Sequence, residues 1–384
     1  AGDSYPGEFQ AIALDTGWLY DQPDGTAAEF DGFQASPSRT PTTIYRALSE
    51  QDLKLSALGI GTGYCMVQIS LDGEQFFQYG SQQDLDRGLL LGNILKIIPI
   101  PDSAKVGSVL AIRFQSNVAS SIPNIYAGTS ASLLYHFFFQ NMGTMVFLIT
   151  MALMLVILII TACYSRMRPI MQVHYYYLFL FIVFASVWIL TDSQLLQLTG
   201  ASASFVSLLS FEMFMLMIVP FVLFLKEACL GFQKVAFWLC VLLLGNFAVL
   251  NVLHFTGVAL FPSTLLSTHL CIGVAIAAIL YHVISEYRRE RTGFSRMMLA
   301  GILVLICFFT FQLILFYQEK GLGLNSALFQ IGLCIFLVLL ALYVVRSLIH
   351  LAEEGTRAEL YLKLARTDQL TKLYNRMALD DTLE

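Results

Sequence analysis

Long apolar stretches recur between Phe137 and Arg346, and short polar segments separate them. A helix rises about 1.5 Å per residue, so roughly 20 apolar residues cover a hydrocarbon core about 30 Å thick. Each stretch reaches about that length. The pattern therefore predicts a seven-helix transmembrane bundle within residues 133–346, with spans near 138–163, 173–192, 205–225, 235–254, 260–284, 297–317 and 326–346.

The first 132 residues contain shorter apolar runs separated by turn signals, a pattern that is typical of β structure. Runs such as Tyr64–Leu71 and Val109–Gln115 are rich in β-branched and aromatic residues. Turn signals separate such runs at Pro23-Asp24-Gly25, Asp72-Gly73 and Pro101-Asp102. We expect an all-β antiparallel sandwich over residues 1–132, with a hairpin that turns at Asp72-Gly73 and returns through Tyr79.

Composition excludes a single soluble globular domain, because 57% of the residues are hydrophobic and only 13% are charged. Residues 1–136 hold 21 charged side chains, residues 137–345 hold 15 and residues 346–384 hold 13, with net charges of −7, +3 and −1. No region is basic enough to bind nucleic acid. The chain starts with Ala1 and no apolar leader precedes the sandwich, so we expect a processed or truncated amino terminus.

The loop charges predict the orientation of the chain, because Lys and Arg near span ends are retained in the cytoplasm. Only Lys320 falls on one side of the predicted bundle. The other side holds Arg166, Arg168, Lys226, Lys234, Arg288, Arg289, Arg291, Arg296 and Arg346. The sandwich is therefore expected outside and the C-terminal tail inside.

Polar residues are sparse within the spans. The candidates for an intramembrane site are Glu212, Asn246, Asn251, Gln312 and Gln330. Glu212 has two interpretations: it pairs with a neighbouring helix, or it belongs to a ligand site. The set is too small for a proton relay. Pro220 is expected to kink the third span, since it lacks an N–H group.

The chain offers little for a cofactor, and no metal site is predicted. Cys65 is the only cysteine in the first region, where we expect it buried and without a disulfide. A retinal site would need a lysine inside a span, and Lys226, Lys234 and Lys320 lie in loops or at span ends. A weak geometric case for haem comes from His254 with His269 and from His174 with His282. The alternative is that these histidines hydrogen-bond between helices.

The seventh span is predicted to continue as a cytoplasmic signalling helix over residues 347–367. Small and apolar residues recur there in steps of three and four: Ala341, Val344, Leu348, Leu351, Gly355, Ala358, Leu362 and Ala365. Such a seam favours a parallel coiled coil, and hence a homodimer. The alternative is packing of this face against the membrane helices.

The segment 368–376 resembles the D-x-L-T-G-L-x-N-R opening of GGDEF diguanylate cyclase domains. The matching residues are Asp368, Leu370, Thr371, Leu373, Asn375 and Arg376, while Lys372 replaces the usual glycine. The pattern indicates a helix stop, a turn and a new helix capped by Asn375. The resemblance implies that residues 368–384 begin a GGDEF domain whose catalytic part, with its Mg²⁺ and GTP, lies outside this chain; we expect no catalytic residue here.

The whole chain resembles bacterial seven-transmembrane receptors with diverse intracellular signalling modules, which implies a multi-pass protein of the inner membrane. The segments Gly17–Tyr20, Asp72–Glu74 and Ile97–Pro101 are similar to their jelly-roll, carbohydrate-binding-like outer domains. Trp18, Tyr20 and Tyr79 would then stack on a carbohydrate-like or other small ligand; alternatively they fill the core.

The resemblance implies a receptor that passes an external signal to a cyclase making cyclic di-GMP from GTP. Two alternatives stay open. One is a receptor with a degenerate or partner-dependent nucleotide-binding output. The other is a redox or haem-binding membrane protein.

Overall fold

The computed structural model describes residues 11–14, 16–22, 26–30, 34–35, 41–53, 55–118, 120–121, 125–167, 175–228, 231–318, 326–342, 345–346 and 349. Within these ranges the N-terminal part is a β-sandwich-like domain, and the remainder consists of apolar helices. The predicted sandwich and the predicted helical region are both present.

Two antiparallel sheets form the sandwich. The strands are β1 (Ile12–Ala13), β2 (Leu19–Asp21), β3 (Ala27–Glu29), β4 (Gln34–Ala35), β5 (Thr42–Ala47), β6 (Ala57–Thr62), β7 (Met66–Leu71), β8 (Glu74–Tyr79), β9 (Ile94–Pro99), β10 (Val109–Gln115), β11 (Ser120–Ser121) and β12 (Ile125–Gly128). The first sheet has the order β1-β12-β6-β9, the second has the order β3-β2-β5-β10-β7-β8, and β4 pairs with β11. Two short helices, α1 (Glu50–Leu53) and α2 (Gln82–Asp86), lie in the connections.

The hairpin of β7 and β8 has the turn that its sequence predicts. Asp72 and Gly73 have φ angles of +51° and +89°, as a tight two-residue hairpin turn requires. Pro101 likewise begins a turn two residues after the end of β9, where its carbonyl accepts the Ala104 N–H at 3.1 Å. The prediction of a strand from Tyr64 was too long, because β7 begins at Met66 and Tyr64 lies outside it at a φ of +51°.

The core of the sandwich lies between the two sheets, where alternate residues point inward as the two-residue strand period requires. The buried side chains come from both sheets: Leu58, Ile60, Ile94 and Ile125 from the first, and Ile44, Val67, Ile69, Leu110 and Ile112 from the second. Cys65 is buried among them, as expected. Burial raises the pKa of its thiol to about 11.

Helix α3 (Ser130–Gln140) packs against the outer face of the first sheet. Leu133 and Phe137 contact β6 at Gly59, where an added Cβ would lie 2.8 Å from the Phe137 ring. Asn141 caps the C-terminal end of α3, and α4 (Met142–Met167) follows directly. The expected first span at 138–163 therefore begins a few residues later, and the boundary placed at 132 falls inside α3.

The remaining helices carry the apolar stretches. They are α5 (Tyr175–Asp192), α6 (Ala203–Leu216), α7 (Ile218–Ala228), α8 (Gln233–Phe255), α9 (Phe261–Glu290), α10 (Gly293–Gln318) and α11 (Ala327–Leu342). Among the described residues, five helices are long and apolar enough to cross a membrane: Met142–Cys163, Ala203–Glu227, Gln233–Phe255, Phe261–Glu290 and Ser295–Gln318. Two shorter apolar helices are Tyr176–Asp192 and Ala327–Leu342.

The third stretch is interrupted near Pro220, as predicted. Helix α6 ends at Leu216, a turn follows at Met217, and α7 begins at Ile218. Proline at position 220 cannot donate the N–H that would bond to the carbonyl of residue 216. The break at Met217 therefore lies about one helical turn before the proline, next to the carbonyl that has lost its hydrogen-bond donor.

The sandwich contacts only one end of the described helices. A Cβ added at Gly88 would lie 3.9 Å from the carbonyl oxygen of Gly257, between α8 and α9. Described cationic residues of the helices, such as Lys226, Lys234 and Arg289, lie at the opposite ends of α7, α8 and α9. The two ends of the helical region thus differ in charge as well as in what they contact.

Candidate functional site at the joint of sandwich and helices

Gln197 joins the sandwich to the helices through both atoms of its side-chain amide. It lies in a 3₁₀ helix (Leu195–Thr199) after α5 and is only 3% exposed. Its Oε1 accepts the Leu95 N–H at 3.0 Å, and its Nε2 donates to the Asn93 carbonyl at 2.5 Å. The amide therefore bonds to the strand edge of β9 as a neighbouring strand would, and it satisfies two backbone groups that would otherwise be unpaired.

The backbone before β9 touches the start of α6. Ser207 Oγ accepts the Asn93 N–H at 3.0 Å. A Cβ at Gly92 would lie 2.1 Å from the Ala203 carbonyl oxygen, which no real side chain tolerates. Only glycine permits this approach. We call the contact of Gly92, Asn93 and Leu95 with Gln197, Ala203 and Ser207 the joint.

Two tyrosines flank the joint. The hydroxyl of Tyr79 lies 3.4 Å from Ser204 Oγ, and burial raises the pKa of this tyrosine. The Tyr64 ring lies 6.1 Å from that of Phe211 in α6. Removal from water, and then the negative charge of Asp192, raise the pKa of Tyr64. A bulky residue at positive φ is strained, and such strain is typical of sites that must hold one geometry.

The three aromatic residues predicted to bind a ligand have different environments. Trp18 is fully buried in the sandwich core and donates from Nε1 to the Leu14 carbonyl at 2.8 Å. In this arrangement its ring offers no face to a ligand. Tyr20 is half-buried and packs edge-on against Phe30 at 5.9 Å. Tyr79 lies at the joint, so the structure does not bring the three together.

Three of the five predicted intramembrane polar residues, Asn246, Gln312 and Gln330, hydrogen-bond to a neighbouring helix. Asn251 Nδ2 donates to the Phe247 carbonyl of its own helix at 3.0 Å, and the Glu212 carboxylate of α6 lies near this amide. Asn246 bonds across to α9, donating to Thr268 at 3.2 Å and accepting from Ser267 at 2.6 Å. These contacts are the kind that hold helices together in lipid.

The other two candidates hold α11. Gln312 Oε1 accepts the Leu328 N–H at 3.1 Å. Gln330 donates to Thr144 Oγ1 of α4 at 3.2 Å and to Ser326 Oγ at 3.2 Å. The helix that leads toward the C-terminal segment is therefore fixed to α10 and to α4 by side-chain amides.

The described histidines pack against aromatic rings. His254 stacks on Phe261 with ring centroids 4.1 Å apart, and His269 Nδ1 hydrogen-bonds with the Tyr317 hydroxyl at 2.9 Å. His282 lies edge-on to Phe232 at 5.0 Å. His174 lies outside the described residues. The described part of the chain contains no group of three or more His, Cys, Asp or Glu side chains that could hold a metal ion.

Sequence reasoning missed Asp192, Gln197 and the segment Gly92–Leu95. Asp192 stands at the end of an apolar stretch, where a carboxylate is ordinary. Gln197 contacts a strand 102 residues away along the chain, and no local pattern predicts such a pairing. A useful signal was the Gly92-Asn93 pair immediately before a strand, since glycine there indicates a close backbone approach.

The GGDEF-like segment Asp368–Arg376, with its six matching residues, lies outside the described residues, as does most of the predicted coiled-coil helix at 347–367. No protein-family model, curated protein or solved structure matches this chain.

Proposed function

We propose that this chain is the sensory and membrane part of a receptor that passes a signal from an outer ligand to a cytoplasmic GGDEF output. The observation that carries the proposal is the joint. A soluble domain tethered by a flexible linker could not move the helices, whereas buried hydrogen bonds from Gln197 and Ser207 transmit displacement directly.

The proposed topology has seven crossings, with the sandwich outside the inner membrane of a bacterium. Two of these are the shorter helices α5 and α11. In support, α5 ends at Asp192, shortly before the 3₁₀ helix of the joint, and α11 begins beside Asp192. The neighbouring helices α4, α7 and α10 carry the basic residues Arg166, Lys226 and Arg296 at the opposite end. A helix that runs from the sandwich-facing end to the basic end must cross the same membrane thickness as the longer helices beside it.

The proposed output is a cyclase that makes cyclic di-GMP from GTP with Mg²⁺. Its support is the set of six residues between Asp368 and Arg376 that match the opening of such domains. The deciding test is to translate the coding frame beyond Glu384 and to assay the whole product with GTP. We expect a GG(D/E)EF loop, a metal-binding Asp and cyclic di-GMP formation. A stop codon or a domain without those residues would refute the cyclase output.

The proposed receptor acts as a homodimer, because a GGDEF cyclase needs two GTP-loaded domains to face each other. Cysteines placed at Leu351 or Leu362 are expected to form disulfide-linked dimers in membranes. A cysteine at exposed Tyr281 of α9 is the control and should not cross-link. No dimer at either tail position would contradict the coiled coil.

The proposed ligand is a small molecule, carbohydrate-like or otherwise, that binds the sandwich. Titration calorimetry of the full chain with a panel of sugars and small envelope metabolites tests this. We expect heat with at least one compound and its loss in Tyr20→Ala, since the Tyr20 ring is partly exposed. Absence of heat across the panel would remove the carbohydrate proposal.

A further inference from the structure

A chain of polar side chains links the sandwich-facing ends of α4, α5 and α11. Asp192 Oδ2, at the end of α5, accepts a hydrogen bond from Ser326 Oγ at 3.1 Å. Ser326 Oγ lies 3.2 Å from Gln330 Nε2, which also donates to Thr144 Oγ1 at 3.2 Å. We call Asp192, Ser326, Gln330 and Thr144 the clamp.

The hydrogen bonds of the clamp lie in a buried region, where hydrogen bonds are stronger than in water. Ser326, Gln330 and Thr144 are at most 7% exposed. Ser326, which donates to Asp192, stands directly before Ala327, the first residue of α11. Free N–H groups and the helix dipole favour a negative charge there. Among the described residues, no cationic side chain is paired with Asp192.

Apolar packing directly below the clamp joins the same helices. Trp188 lies one turn before Asp192 in α5. Its ring centroid is 5.2 Å from that of Phe329 in α11 and 4.9 Å from that of Phe214 in α6. A change in the position of α11 must therefore disturb both the hydrogen bonds and this aromatic contact.

The sandwich reaches the clamp through Tyr64. The Tyr64 carbonyl is held by Ser116 Oγ at 2.6 Å, and its side chain interacts electrostatically with the Asp192 carboxylate. The Tyr64 ring also lies 6.1 Å from that of Phe211 in α6, one turn before the Phe214 that packs on Trp188 of α5. The same part of the sandwich thus contacts α6 both through the joint and through the Tyr64 ring, and α6 in turn packs on α5 directly below the clamp.

We propose that the clamp is the switch of this receptor: Asp192 holds α11 in one position, and movement of the sandwich at Tyr64 and the joint releases it. This inference rests on the proposed function, since α11 is the helix that leads to the proposed output. It makes Asp192, rather than Glu212, the intramembrane carboxylate that controls the position of α11.

The test measures the position of α11 in the full chain. Spin labels are attached at Leu342, which is 51% exposed in α11, and at Tyr281, which is 70% exposed in α9. Both labels are introduced into a variant of the full chain in which the seven native cysteines have been replaced. Asp192→Ala is expected to shift the distance between the labels by about 2 Å or more, or to add a second population, as helix rearrangements do. Asp192→Asn keeps an acceptor oxygen and should retain the parent distance.

Glu212→Ala is the matched control, because Glu212 is a carboxylate of α6 that takes part in none of the hydrogen bonds that define the clamp. It should leave the distance unchanged. If Asp192→Ala does not fold, the same distance is measured in Ser326→Ala. This substitution removes the Oγ hydrogen bonds to Asp192 and Gln330 and leaves the backbone intact. An unchanged distance in the folded variants overturns the clamp.

These outcomes are independent of the output domain. The label distance is a property of the described helices, so the absence of a cyclase beyond Glu384 would refute the proposed output and leave the clamp standing. Conversely, a confirmed cyclase with an unchanged label distance in Asp192→Ala would leave the receptor proposal standing without this switch.

Discussion

Asp72 shows how one side chain makes a hairpin sensitive to pH. The hydrogen bond from Ser108 and then that from the Val109 N–H, at 2.7 Å, hold the pKa of this carboxyl below its ordinary value. A lowered native pKa stabilises the fold above the unfolded pKa of about 4, and this contribution is lost as the pH falls through the native pKa. We therefore expect the thermal midpoint of the parent to fall relative to that of Asp72→Asn below about pH 4.

Asparagine is the matched replacement, because it tolerates positive φ and keeps an acceptor oxygen while removing the charge. Thermal unfolding of both proteins between pH 7 and pH 3 measures the difference between their midpoints. Because the two proteins share all their other carboxylates, the effects of those groups cancel in this difference. A difference between the two midpoints that stays constant over this range would contradict the assignment.

Gly92 is the residue at which the joint tolerates no side chain. Because a Cβ there would meet the Ala203 carbonyl at 2.1 Å, Gly92→Ala must push β9 away from α6. We expect a loss of about 1 to 3 kcal/mol, as for other overpacked sites. Gly143→Ala adds the same methyl group in α4 with nothing within 4 Å, so it should be neutral or slightly stabilising. Equal thermal midpoints for the two variants would rule out close packing at the joint.

At the scale of elements, the contact of β9 with the 3₁₀ helix depends on Gln197. Gln197→Ala leaves the Leu95 N–H and the Asn93 carbonyl unpaired in a buried site. Each such group costs about 1 to 3 kcal/mol. We expect a lower thermal midpoint and faster proteolysis between sandwich and helices. Gln318→Ala, at the exposed end of α10, is the control. A thermal midpoint of Gln197→Ala as high as that of Gln318→Ala would contradict the role of Gln197.

The sequence predicted elements whose cause is local. An apolar stretch of about 20 residues specifies its own helix, and among the described residues five such stretches form helices long and apolar enough to cross a membrane, while two more form shorter apolar helices. The Asp72-Gly73 turn likewise follows from two residues. The geometry at Tyr64 and the pairing of Gln197 with β9 involve contacts between segments far apart in sequence, and a local pattern carries no information about them. The sequence therefore indicated single members of the joint and the clamp, such as Gln330 of the clamp, but not the contacts that join them.

At the scale of the whole molecule, the separation of charge predicts how the chain lies in the membrane. Cationic residues are retained in the cytoplasm, and the described ones on the helices lie away from the sandwich. Single cysteines are placed at Val106, which is 65% exposed, and at exposed Arg291. With a membrane-impermeant maleimide, we expect the cysteine at 106 to react in intact spheroplasts and that at 291 only after disruption. Reaction of both in disrupted cells is the control. The reverse order would place the sandwich in the cytoplasm, where it could not sense an external ligand.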